Sequence, residues 1–179
     1  MVPLSTSDLN NPNTFPTFLN LPPEYEINDA YFSSTKPRKH WCFLGRVVSS
    51  NVQVVRLTMQ VEDKKGHKIL VSFHTDDRGA SFQAHCTPGS TIAVLYATQH
   101  TFSFSPPGLR LEEGAHVKVF PHTLEAMLRT SKAILERDRT PRCEVCGRVD
   151  ANVKKCARCK TAWYCSKVSP SRYNIQPQG

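Results

Sequence analysis

Apolar and polar residues alternate with a period of two through the middle of the chain, and that pattern predicts a sheet. Val55, Leu57, Met59 and Val61 alternate with Arg56, Thr58 and Gln60, as expected of a strand with one buried face. Ile69, Val71 and Phe73 alternate with Leu70, Ser72 and His74, and the polar, glycine-containing stretch Glu62–His67 between the two runs reads as a hairpin turn. An earlier strand is expected at Cys42–Ser49, with Gly45 marking a bulge or bend. Asp76–His85 breaks the alternation and reads as a short helix, and Pro88-Gly89 as a turn. Thr91–Thr98 is the most apolar strand, with Phe102 and Phe104 extending it or following a kink. Leu109–Glu112 and His116–Phe120 complete the set.

Beyond the sheet the period changes. Leu124, Met127, Leu128, Ile134 and Leu135 recur at helical spacing, so a helix is expected from about His122 to Asp138. His122 or Thr123 could cap it, and Arg137 and Arg139 suit its C-terminal end. Its apolar stripe packs most simply on the sheet. Before the sheet, residues 1–39 hold six of the thirteen prolines and show neither period. Proline removes donors and fixes φ, so this segment is expected to be disordered, with Phe15–Pro23 a docking motif or a strap across the following domain.

Three meandering strands, a short helix and two or three further strands resemble the five-stranded oligonucleotide/oligosaccharide-binding (OB) barrel. The phrases Gly108-Leu-Arg-Leu-Glu-Glu-Gly and Val117-Lys-Val-Phe fall within that resemblance. An SH3-like barrel or part of a β-sandwich competes with it. The fold class expected is mainly β with α: an OB-like barrel at 40–121, a connecting helix at 122–140, and a cysteine-rich segment at 141–167.

Charge is unevenly placed. Residues 1–141 carry 15 basic and 13 acidic side chains, a net of +2, and residues 142–179 carry 8 and 2, a net of +6. A basic setting favours thiolate over thiol. No apolar run follows a basic N-terminal segment, and no stretch approaches the about 20 apolar residues of a membrane span. The expected setting is therefore intracellular, nuclear or cytoplasmic, where paired cysteines read as metal ligands rather than disulfides. Cys42 and Cys86 read as buried free thiols.

Cys143-x2-Cys146 and Cys156-x2-Cys159 are separated by nine residues, and Cys165 follows after five more. Each C-x2-C turn aims two thiolates at one point, which suits tetrahedral zinc. Cys143-x2-Cys146-Gly147, Lys155-Cys156-Ala-Arg-Cys159 and Trp163-Tyr164-Cys165-Ser166-Lys167 resemble the first part of a MYND-type zinc finger. The resemblance implies two interleaved zinc sites: Cys143, Cys146 and Cys165 in the first, Cys156 and Cys159 in the second. It also implies a cross-braced fold and recognition of short proline-containing peptides, with Trp163 and Tyr164 as groove residues or as packing around the metal core. The family's fourth ligand to the first site would fall at Ser169, and its closing His and Cys are absent from residues 168–179. Val168-Ser169 can be encoded by the consensus start of an intron, so residues 168–179 are expected to be a non-native or disordered tail. Alternatively Cys143, Cys146, Cys156 and Cys159 close a single four-thiolate site.

Other classes are less well served. The barrel could bind single-stranded nucleic acid, using Arg46, Arg56, Lys68, Arg110 and Lys118 with Phe73, Phe102 and Phe104, although the phase of Phe73 places it in the core. Near-neutral charge over residues 1–141 argues against strong backbone binding. Some proteins with this finger carry a lysine methyltransferase domain, and residues 1–141 do not resemble one. There is no nucleophile elbow, phosphate loop or dinucleotide turn, and His74 near Asp76 is the one acid/base pair to consider. The chain is expected not to be an enzyme.

Overall fold

The sheet is built outward from one long hairpin. In the computed structural model, which describes residues 8–25, 29–33, 36–53, 55–149, 152–160 and 162–165, two short strands come first, β1 (Phe32–Ser33) and β2 (Lys36–Pro37), paired with each other. The main sheet contains β3 (Cys42–Gln53), β4 (Arg56–Asp63), β5 (Lys68–Phe73), β6 (Thr91–Leu95), β7 (Gly108–Leu111) and β8 (Val117–Phe120). Helix α1 follows at Leu124–Arg139, and then β9 (Lys154–Lys155) and β10 (Trp163–Tyr164). Residues 166–179, including Lys167, Ser169 and the expected tail, lie outside the described residues, as do residues 1–7.

The order across the main sheet is β7-β5-β4-β3-β6-β8. β3, β4 and β5 meander antiparallel, β6 returns to pair with β3, and β7 runs parallel to β5. The two outermost strands, β7 and β8, are consecutive in the chain and joined by residues 112–116. The sheet therefore curls until one covalent segment links its two edges, and its order is that of the OB barrel with a split fifth strand. This corrects the strand count from five to six: β7 serves β5 and β8 serves β6.

Alternation decides which face is inside. Leu57, Met59 and Val61 on β4, Ile69, Val71 and Phe73 on β5, and Ile92 and Val94 on β6 all point into one core with Phe43, Val47, Leu109, Leu111 and Val117. Burying each such side chain contributes about 2 kcal/mol. Gly45 is not a bulge. It pairs with both Asp63 and Ile92, and the register shift falls between Val47 and Ser49. The glycine is needed for space, since a Cβ there would stand 2.2 Å from Val61 Cγ1.

Three further expectations are corrected. The stretch at 76–85 is a turn with a single 3-10 segment, Ala80–Phe82. Asp77 organises it by accepting from Gly79 N, Ser81 N and the Thr75 hydroxyl. β6 stops at Leu95 because Tyr96 takes φ of 56°, a left-handed conformation that ends a strand. The N-terminal segment, expected to be disordered, is anchored at several described positions between 8 and 25. Phe18 and Leu21 join the main core, and Leu9 and Phe15 pack with Leu44, Ala93, Leu124 and Leu128 on the outer side of β3 and β6. Buried Asp63 accepts the Phe18 N–H at 2.9 Å, and Lys64 Nζ donates to the carbonyls of Leu9 and Phe15 at 3.0 and 2.6 Å.

The chain divides into two units, Ser7–Arg129 with the sheet and Thr130–Gly179 (with Met1–Thr6) with the cysteine-rich segment. In α1, Thr123 Oγ1 accepts from Ala126 N, so Thr123 is the cap. No helix among the described residues is long and apolar enough to cross a membrane.

Candidate metal centre

The two C-x2-C turns adopt the same backbone form. At the first, Gly147 N donates to Cys143 O at 2.8 Å and Gly147 has φ of 69°. At the second, Lys160 N donates to Cys156 O at 2.9 Å and Lys160 has φ of 54°. A glycine fits the first without strain, whereas Lys160 holds a conformation unfavourable to a side chain. β9 and β10 form a small hairpin in which Trp163 faces Lys155 and Tyr164 faces Lys154. Glu144 N donates to Trp163 O at 2.9 Å. That bond ties the first turn to β10 and delivers Cys165, two residues later, to Cys143 and Cys146.

The sulfur atoms of Cys143, Cys146 and Cys165 lie within 4.8 Å of one another. Cys146 and Cys165 are 3.7 Å apart, close to the about 3.8 Å edge of a tetrahedron with zinc–sulfur bonds of about 2.3 Å. Cys143 is buried, Cys165 half-buried and Cys146 exposed. The Cys143 sulfur faces the N–H groups of Cys146, Cys165 and Val145, which bring its thiol down to about 6. The Cys165 thiol is pushed up by hydrogen bonding to Cys143 and then Cys146. One ready thiolate and two crowded sulfurs around one point form a donor set that a soft divalent cation satisfies, because it favours every sulfur as thiolate. Three thiolates fit zinc and leave its fourth position open.

Cys156 is half-buried and Cys159 exposed, and neither joins that group among the described residues. The sulfurs of Cys156 and Cys159 are thus not grouped with those of Cys143 and Cys146 in this structure. Cys86 is fully buried and Cys42 half-buried, and burial pushes both thiols up to about 11.

Trp163 and Tyr164 are half-buried. Trp163 Nε1 donates to Asp138 Oδ1 at 3.3 Å, and Lys155 Nζ donates to Asp138 Oδ2 at 2.7 Å while lying 5.4 Å from the Trp163 ring centroid. Sequence reasoning missed Asp138. The available signal was its place in the last turn of α1, where the helix dipole disfavours a carboxylate and another partner is implied.

On the sheet, Arg56, His74 and Arg110 share one outward face, since Ser72 lies between Thr58 and Arg110 in register. Arg56 Nη1 lies 2.6 and 2.7 Å from the two His74 ring nitrogens. Burial, then Arg56 and Arg110, hold His74 below its ordinary value, so the neutral ring accepts. Arg110 pairs with Glu112 at 2.8 Å, and its Nε is buried without a hydrogen-bond partner. Phe102 stacks edge-on against His100 and lies beside Gly108, while Phe104 is fully exposed. Phe73 is core, Arg46 is paired with Glu62, and Lys68 and Lys118 are exposed on β5 and β8.

Residues 143–169 match the family model of the MYND finger. No curated protein matches the chain. Among solved structures the chain is similar to a murine DNA-binding protein bound to double-stranded DNA, at 18% identity and a TM-score of 0.35, covering 46% of this chain and 41% of that one. It is also similar to a replication protein A heterotrimer bound to single-stranded DNA, at 13% identity and a TM-score of 0.38, covering 65% and 83%. A third is Schizosaccharomyces pombe Pot1pC bound to single-stranded DNA, at 12% identity and a TM-score of 0.38, covering 63% and 98%. The chain spans about two fifths of the first. These likenesses are too loose to carry an argument, and the OB assignment rests on the strand order.

Proposed function

We propose that residues 141–167 form a zinc-dependent protein-interaction module, carried on a β-barrel scaffold, that recognises short proline-containing peptides and performs no catalysis. The observation supporting this reading is the convergence of the Cys143, Cys146 and Cys165 sulfurs within a stretch that matches the MYND finger. In it, Cys143, Cys146 and Cys165 hold one zinc, and Cys156 and Cys159 supply two thiolates towards a second site, whose closing His and Cys are absent from residues 168–179. Zinc supplies a structural cross-link there, and for a small finger that binding energy is folding energy. Trp163 and Tyr164, fixed by β10, form the apolar side of the peptide site. The test is fluorescence anisotropy of a labelled proline-containing peptide library with the zinc-loaded chain. Binding that is lost on chelation is expected, and binding indifferent to zinc contradicts the reading.

The outward face of β4, β5 and β7 favours a second reading, single-stranded nucleic-acid binding. Arg56, His74 and Arg110 are adjacent there, Phe102 packs against His100, and Phe104 is fully exposed, so aromatic rings are available for stacking. An oligothymidine should then bind with marked salt dependence, and Arg56→Gln with Arg110→Gln should weaken it about tenfold. Unchanged binding in that double variant removes the reading.

A further inference from the structure

The finger unit contains a carboxylate receptor, and its own helix fills it. Lys155 and Trp163 are cross-strand partners on β9 and β10. Their donors reach different oxygens of one carboxylate, Lys155 Nζ to Asp138 Oδ2 at 2.7 Å and Trp163 Nε1 to Asp138 Oδ1 at 3.3 Å. The Trp163 ring also supports the ammonium from the side. Two donors fixed on a hairpin and aimed at both oxygens of one acid recognise a planar anion rather than a single atom. Asp138 gains nothing from its position in α1, because the C-terminal turn of a helix repels negative charge. Among the described residues, Lys155 and Trp163 are the side chains that hold it.

The surrounding charge has the same sign. The three acidic residues described in this unit, Glu136, Asp138 and Glu144, are each already paired, with Lys132, Lys155 and Arg137. Arg142, Arg148, Lys154, Arg158 and Lys160 are exposed, and no carboxylate among the described residues pairs with them. Five exposed cations in the same unit as a receptor already shaped for a carboxylate, none paired with a described carboxylate, define the partner by charge complementarity.

We propose that the finger's peptide partner is acidic, and that one of its Asp or Glu side chains takes the place held by Asp138. Asp138 is then a built-in competitor that sets the threshold for binding. This rests on the peptide-recognition reading above and narrows it to one class of peptide. A nucleic acid would meet the same cations, but the indole N–H and ammonium pair already holds a carboxylate.

The test uses the full zinc-loaded chain and fluorescence anisotropy with three labelled probes. Two are peptides of identical proline spacing carrying Glu or Gln at the same positions, and the third is an oligothymidine. At about 50 mM salt the Glu peptide should bind about tenfold more tightly than the Gln peptide, and the difference should shrink towards about 500 mM. Asp138→Asn should strengthen the Glu peptide several-fold. Lys155→Gln and Trp163→Phe should each remove most of the Glu preference, and Lys155→Arg should keep it. Zinc content, measured alongside, shows that each variant retains its finger. Equal binding of the two peptides, or an Asp138→Asn chain with unchanged affinity, overturns this inference while leaving peptide recognition standing. Failure of both peptides to bind the zinc-loaded chain overturns both. Tighter binding of the oligothymidine, weakened by Lys155→Gln, assigns the surface to nucleic acid and overturns the acidic-peptide partner.

Discussion

At the scale of single residues, Asp63 ties the N-terminal segment to the turn between β4 and β5. Its carboxylate is buried and accepts the backbone N–H groups of Phe18, Lys65 and His67. Burial alone would raise its pKa, but the hydrogen bonds from Phe18, Lys65 and His67 outweigh it and hold the carboxyl below its ordinary value. A depressed folded value means that the stabilisation is present above the ordinary carboxyl value of about 3.9 and is lost as pH falls through the folded one. Asp63→Ala should therefore cost about 3 kcal/mol near neutral pH, because it orphans three N–H groups. Asp63→Asn should show a smaller loss of stability below about pH 4 than the parent chain. Chemical unfolding at both pH values checks this, and an unchanged acid loss would contradict the role given to Asp63.

Single residues also explain what the sequence concealed at the site. The candidate ligand cysteines stand out by spacing alone, because a C-x2-C turn needs only local geometry. The grouping of Cys165 with the first turn depends on one backbone bond, Glu144 N to Trp163 O, which spacing does not encode. The MYND resemblance anticipated it, and residue patterns left a four-thiolate alternative open. Asp138 was hidden because its partners, Lys155 and Trp163, lie 17 and 25 positions away.

Among the elements, hairpins were legible and irregularities were not. β4 and β5 follow strict alternation, and their register, Val61 with Ile69 and Met59 with Val71, is the one alternation demands. β3 runs on through Ser49–Gln53, where polar residues hide a strand that pairs there with β4 alone. β6 ends early because Tyr96 turns left-handed, against the apolar run that continues through Ala97. Gly45 offers a direct check of packing. Gly45→Ala places a methyl 2.2 Å from Val61 Cγ1 and 2.9 Å from the Phe43 ring, so it should cost about 1–3 kcal/mol. Val61→Ala in the same chain should recover part of that loss by opening room. A Gly45→Ala chain as stable as the parent would show that the core yields more readily than its burial implies.

The whole molecule comprises two units that draw on different physics. The sheet unit folds on apolar burial and closes its edges through the segment between β7 and β8. The finger unit has little core of its own, with Cys143, Val153 and Ser131 its buried residues among those described, and on the proposed reading its folding energy comes from ligation. Chelation should accordingly abolish peptide binding while leaving the cooperative unfolding of the sheet unit unchanged by circular dichroism. A shift of that transition by chelator would show that the sheet also depends on metal.

The central claim is that Cys143, Cys146 and Cys165 share one zinc. Zinc content per chain, compared between the parent protein and Cys165→Ser by elemental analysis, tests it most directly. The substitution is expected to remove the tightly held zinc. Full retention of that zinc in the Cys165→Ser chain would contradict the account, since only a site built from the two C-x2-C turns survives without Cys165.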